Sequence, residues 1–115
     1  NEGKTTMEEK LRGMMASMPM AFIPEAAEGV EATIQYHLTG EGASDWGIHI
    51  ADGACTVNEG LLENPTLTLT MDSQDYVDMI AGRLNGMSAF MSGKLQLDGD
   101  IMLATRLFTM FKMGR

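Results

Sequence analysis

An α/β chain of the α+β kind, with helices flanking a single sheet, is predicted by three observations. Apolar residues recur at helical spacing up to Met18, at every second position from Ala32 to Met71, and at helical spacing again from Asp72. Each strand-like run has one apolar and one polar side, so the sheet should be covered on one face and wet on the other. The last run, Ile101 to Lys112, carries more apolar surface than one buried helix face requires. The 115 residues are the size of one domain, 1–115, with one core. Residues 1–6 read as a disordered or extraneous leader.

The first helix is predicted over residues 5–18. Thr6 and Glu9 have the spacing of a capping box. Met7, Leu11, Met14, Met15 and Met18 share one face, and Pro19 is expected to stop the helix. Pro24 can open a short helical turn through Ala27, ended by Gly29. Ala32, Ile34, Tyr36 and Leu38 then alternate with Thr33, Gln35, His37 and Thr39. After Gly40-Glu41-Gly42 comes a second strand with Trp46, Ile48 and Ile50 inward. Asp52-Gly53 is a favoured two-residue hairpin turn. Cys55 and Val57 continue the apolar face, and Leu67, Leu69 and Met71 alternate with threonines. Short turns between these four strands predict antiparallel neighbours. Asp72-Ser73 caps a second helix with Tyr76, Val77, Ile80 and Leu84 as its stripe, ended by Asn85-Gly86.

The stretch Ala89-Phe90-Met91-Ser92-Gly93-Lys94-Leu95-Gln96-Leu97-Asp98-Gly99-Asp100 organises the rest. Lys94 to Leu97 alternates as a fifth strand, and Asp100 is placed to cap the terminal helix. Leu103, Leu107, Met110 and Phe111 make one stripe of that helix, and Ile101, Ala104 and Phe108 make a second. A strand feeding an over-apolar helix predicts an apolar cavity closed by that helix.

No apolar run is long enough for a membrane span, and no signal-peptide pattern opens the chain. The lone Cys55 cannot form an internal disulfide, which favours a reducing cytoplasm. The net charge of −8 argues against nucleic acid. Its distribution is uneven: no Lys or Arg lies between Arg12 and Arg83, whereas five basic residues against two acidic ones follow from Arg83 onward. That cationic end reads first as surface solvation, and second as a weak attraction for an anionic head group or membrane surface. Twelve methionines are an excess suited to deformable apolar surfaces.

Polar chemistry is poorly represented. His37 and His49 lie on the polar faces of their strands and are candidate cross-strand neighbours, while Cys55 lies on the apolar face. No metal site is expected from them. Ser44 or Ser92 with a histidine and Asp52 could form a triad only on paper, since no nucleophile-elbow pattern surrounds either serine. Asp72, Asp75 and Asp78 sit where the helix macrodipole favours acids. The glycines fall at turns, with no phosphate-binding loop. Catalysis and a cofactor are therefore not expected. The surplus apolar surface must meet a second subunit, a bound lipid or a membrane surface, and the residues alone leave these three open.

The order of elements and several local motifs resemble one family. Trp46 opens the second strand, Asp52-Gly53 forms the hairpin, and Asn64-Pro65-Thr66-Leu67-Thr68-Leu69 forms the fourth strand. Ala81-Gly82-Arg83-Leu84-Asn85 follows at the helix end, then the stretch from Ala89 to Asp100. From about Met7 to Phe111 the chain is similar to a sterol carrier protein 2 (SCP2) type lipid-transfer domain, in its compact stand-alone prokaryotic form. The resemblance implies a five-stranded, mostly antiparallel sheet with helices packed on one face and an apolar tunnel between them. It also implies binding of sterols, fatty acids, fatty acyl-CoA or phospholipids and their transfer between membranes. Facing direction then makes Met71, Phe90, Leu97, Met102, Leu103, Leu107, Phe108 and Phe111 the expected tunnel lining. Two features depart from the family: there is no peroxisomal Ser-Lys-Leu ending, and the chain is acidic.

The leading expectation is thus a non-catalytic, intracellular lipid carrier, monomer or homodimer, with at most transient membrane-surface contact and with ligand admitted by displacement of the terminal helix. The alternative is a structural or dimerisation module of the same fold. An enzyme acting on an acyl substrate through His37 or His49 ranks third.

Overall fold

The structure, a computed structural model, describes residues 6–112. The expectation of a disordered leader falls on residues 1–5, outside the described residues, and on Thr6, which is an ordered N-cap. Thr6 Oγ1 accepts from the Glu9 N–H (3.1 Å) and Glu9 Oε1 accepts from the Thr6 N–H (3.0 Å), completing the capping box of α1, Met7–Ala21. Leu11, Met15 and Met18 are its buried face. Pro19 does not stop the helix. Its missing N–H leaves the Met15 carbonyl without that intrahelical bond, yet its φ is compatible with the helix and the chain stays helical for two more residues. The final turn closes as the Phe22 N–H donates to the Pro19 carbonyl (3.3 Å).

A 3-10 turn at Pro24–Ala27 leads to β1 (Ala32–Thr39), β2 (Ser44–Ala51), β3 (Ala54–Glu59) and β4 (Leu67–Asp72). Asp52 and Gly53 form the two-residue hairpin with φ of 53° and 73°. Helices α2 (Ser73–Ile80) and α3 (Gly86–Met91) precede β5 (Leu95–Gly99) and α4 (Ile101–Leu107). The five strands form one sheet in the order β3-β2-β1-β4-β5. The fold is α+β with a mostly antiparallel sheet whose core face is covered by helices. Rows such as Ile48–Ile34–Leu67 and Leu38–Met71–Leu95 are buried on that face. Each large aliphatic side chain in such a row contributes about 1.5–3 kcal/mol by leaving water.

The neighbours are not all antiparallel. β4 lies beside β1, not β3, and runs parallel to it, with Tyr36 opposite Leu69 and Leu38 opposite Met71. The segment between β3 and β4 is a crossover behind the sheet, not a hairpin. It also makes the back face less wet than the alternation predicts. Gln35 is only 5% exposed. Its Nε2 donates to the Trp46 carbonyl (3.1 Å) and the Gly60 carbonyl (3.1 Å), and its Oε1 accepts from the Leu62 N–H (2.6 Å). Leu62 lies over Gly47, where a Cβ would meet it at 2.7 Å.

Helix α2 ends at Ile80, earlier than predicted, and Leu84 falls in the following loop. The residues after Asn85 form α3, a helix the periodicity did not reveal, with the Asn85 side chain accepting from the Ser88 N–H (3.0 Å). Gly99 brings β5 close against β4: a Cβ there would lie 2.5 Å from the Thr66 carbonyl oxygen. Asp100 then caps α4 by accepting from the Leu103 N–H (3.1 Å). That helix is shorter than the run to Lys112. After Leu107 the chain turns, and Phe111 bridges Phe22 in antiparallel fashion. The Ile23 N–H donates to the Met110 carbonyl (2.7 Å) and the Lys112 N–H to the Ala21 carbonyl (2.9 Å). Tertiary pairing with the end of α1 replaces the last helical turn.

Replacing Gln35 by Leu strands the Leu62 N–H and the Gly60 carbonyl at once. It is expected to lower unfolding stability by about 2 kcal/mol in urea melts, whereas replacing the exposed His49 by Leu changes it by less than about 0.5 kcal/mol.

Candidate functional site

Two apolar cavities lie between the helices and the sheet. The larger, about 200 Å³, sits under the second half of α1. Met14 and Met18 form one wall, Tyr36 of β1 and Tyr76 of α2 the floor, and Leu107 and Phe111 the closing side. Met14, Met18 and Ala21 reach it because the face that buries Leu11 and Met15 continues to the helix end. The Tyr36 and Tyr76 rings meet edge to face, with centroids 5.6 Å apart. Burial pushes both phenols well above their ordinary range, so each remains a protonated hydroxyl. Ser17 and Lys112 add polar groups to this lining.

The smaller cavity, about 120 Å³, lies at the β5 edge of the sheet. Its walls are Met87 and Phe90 of α3, Leu95 and Leu97 of β5, and Ile101 and Ala104 of α4. Phe108 is common to the walls of both cavities. The two apolar pockets thus share one aromatic side chain.

Of the residues expected to line a tunnel, Leu107 and Phe111 border the larger cavity, Phe90 and Leu97 the smaller, and Phe108 both. Leu103 is buried beneath α4 and Met71 within the sheet row, and neither borders these two cavities. Met102 is 76% exposed and also lies outside them. The contributions of α1, β1 and α2, through Met14, Met18, Tyr36, Tyr76 and Ile80, were read from sequence only as core. Facing direction marks such residues as inward but does not say which inward positions leave space unfilled. The second apolar stripe assigned to the terminal helix is divided. Ala104 and Ile101 remain on α4, while Phe108 follows its last turn.

A one-sided sheet with apolar chambers beneath its helices is the architecture of a module that binds apolar ligands. The chain belongs to the SCP-2 sterol transfer family, whose model matches residues 22–112. It is 36% identical over 93 residues to hydroxysteroid dehydrogenase-like protein 2 of Danio rerio, which covers 78% of this chain and 22% of that protein. The chain therefore spans about a fifth of the length of that curated relative. Among solved structures it is similar to palmitated sterol carrier protein 2-like 2 of Aedes aegypti, with TM-score 0.69, 24% identity and coverage of 90% of this chain and 91% of that one. It is also similar to part of a stereoselective inverting sec-alkylsulfatase from Pseudomonas sp., with TM-score 0.77, 18% identity, and coverage of 86% of this chain and 16% of that one.

The polar candidates lie elsewhere. His37 and His49 project from the back face, away from both cavities, because strand neighbours alternate and Tyr36 points inward. They are not cross-strand neighbours: His37 opposes Asp45 and Thr70, while His49 opposes Thr33 and Thr56. His37 Nδ1 is hydrogen-bonded to Asp45 rather than to Asp52. Ser44 Oγ accepts from the Trp46 indole N–H (2.8 Å), and Ser92 Oγ donates to the Ala89 carbonyl (3.2 Å). Among the described residues no group of three His, Cys, Asp or Glu side chains is placed to hold a metal. Cys55 is buried opposite Ile50, and burial pushes its thiol up to about 11.

The protonated, buried Cys55 should resist alkylation. Iodoacetamide at neutral pH is expected to label the native protein at least about tenfold more slowly than the urea-unfolded protein, read by mass spectrometry. The native rate should climb as pH approaches the raised thiol value.

Proposed function

We propose that this domain is a non-catalytic carrier of an apolar ligand of sterol, fatty acid or fatty acyl-CoA type, held between the helices and the sheet. The observation that carries the reading is the pair of apolar chambers meeting at Phe108. Burial of an acyl chain is worth about 0.8 kcal/mol per methylene before losses, so an apolar lining binds without any catalytic motif. Tyr36, Tyr76 and Lys112 supply polar groups at the larger chamber, where a carboxylate or hydroxyl head could rest. The palmitated mosquito relative supports the same ligand class. Ligand is admitted as α4 and the strand-like segment after it lift from the sheet. Met87, Phe90, Met91, Ile101 and Met102, exposed on α3 and α4, offer transient contact with a membrane surface. Among the described residues no helix is long and apolar enough to cross a membrane. A cytoplasmic location and a monomer or homodimer complete the proposal.

A second reading is a structural or dimerisation module within a larger enzyme. It is favoured by the similarity to only 22% of the dehydrogenase-like protein and 16% of the sulfatase. The same exposed side chains of α3 and α4 would then meet another protein surface.

Native mass spectrometry of gently purified protein, followed by solvent extraction, distinguishes the two. The carrier is expected to retain fatty acid or sterol at near-stoichiometric level, or to take up added palmitate or cholesterol. A ligand-free protein that takes up neither overturns the carrier reading, and a tight dimer in that state establishes the second.

A further inference from the structure

We propose that the Phe108 ring is a movable partition that sets the length of acyl chain this domain accepts. The proposal rests on the carrier reading and adds to it a residue that determines specificity.

The two chambers are about 200 and 120 Å³. Each alone is smaller than the roughly 300 Å³ at which ligand pockets begin, and only the two joined pass it. Phe108 is the side chain that both walls share. With the ring as it stands, the larger chamber suits a short chain. With the ring turned aside, the space it occupies is added to both chambers, and a long chain can run from α1 through to β5.

The local structure permits the ring to turn while the backbone stays. Phe108 is the C-cap of α4, where the helix ends and the chain turns away. Leu107 and Met110 on either side are fully buried, which anchors the chain. Phe108 itself is only partly buried. Its ring faces Gly86, the first residue of α3: a Cβ built there would be 3.5 Å from Phe108 Cε2 and 3.7 Å from Met79 Sδ. A gap about one methyl wide thus separates the ring from the Gly86 backbone, beside a thioether, and thioethers repack at little cost. A methyl group at Gly86 would touch the ring at ordinary van der Waals distance and favour its present position.

The proposal predicts opposite effects at the two residues. Affinities for octanoate, laurate, palmitate and stearate would be measured by titration calorimetry on the wild-type protein and on Phe108→Ala, Phe108→Leu and Gly86→Ala. Thermal melts would show that each is folded, and Phe108→Leu keeps enough bulk to preserve the core if the alanine variant does not fold. Both Phe108 variants are expected to raise the palmitate-to-octanoate affinity ratio about tenfold, and Gly86→Ala to lower it about threefold. A folded Phe108→Leu protein with the wild-type length profile overturns the partition. Wild-type protein that binds cholesterol but no fatty acid overturns the partition and leaves the carrier reading standing. Binding of neither overturns both.

Discussion

The crossing of the chain behind the sheet is the constraint on which the rest of this fold depends. After β3 the chain sits at one edge, and it must pass β2 and β1 to reach the other side. Backbone crossing a sheet face needs partners for its polar groups. Gln35 supplies them, accepting from Leu62 and donating to Gly60 and Trp46 with one side chain. Gly47 leaves room for Leu62 to lie flat on the strands. Once β4 is delivered beside β1, β5 can pair on its free side, and α3 and α4 are drawn over that edge. The smaller chamber exists because of this route.

The chambers themselves follow from interruption. One long helix over β1, β4 and β5 would have filled the space with a continuous apolar stripe. Instead the covering layer is broken into α2, α3 and α4, of eight, six and seven residues, joined by turns. Short helices set at different places on a twisted sheet leave gaps between their side chains. Methionine lines several of these gaps, with Met14 and Met18 at the larger chamber and Met87 at the smaller. Its unbranched chain conforms to an irregular boundary, which gives the methionine excess a structural sense.

Closure comes from both ends of the described chain. The bridge between Phe22 and Phe111, with ring centroids 5.5 Å apart, ties the end of α1 to the segment after α4. Arg12 ties the same helix to the sheet edge through Glu59 at 2.8 Å and stacks 5.9 Å from the centre of the Trp46 ring. Such an exposed ion pair contributes at most about 1 kcal/mol. The helix is therefore held mainly by its buried methionines and leucine, and its lower half remains available as a chamber wall.

Local pattern was enough to determine the strands and caps of this protein. Ile34, Tyr36 and Leu38 could only be one face of a strand, Asp52-Gly53 only a tight hairpin, and Asp100 an N-cap, because each signal lies within a few residues of chain. The motifs from Asn64 to Asp100 were likewise enough to place the family. Helix ends were less legible. Pro19 and the run to Lys112 were misjudged because contacts between Ala21–Ile23 and Met110–Lys112, distant in sequence, decide where those helices finish. The parallel place of β4 and the burial of Gln35 required the crossover, which no period records. The sequence predicts an apolar cavity under the last helix, but the number and place of the pockets and the position of Phe108 between them belong to tertiary structure. A sequence shows which side chains leave water, but empty volume is set by how separate elements fail to meet.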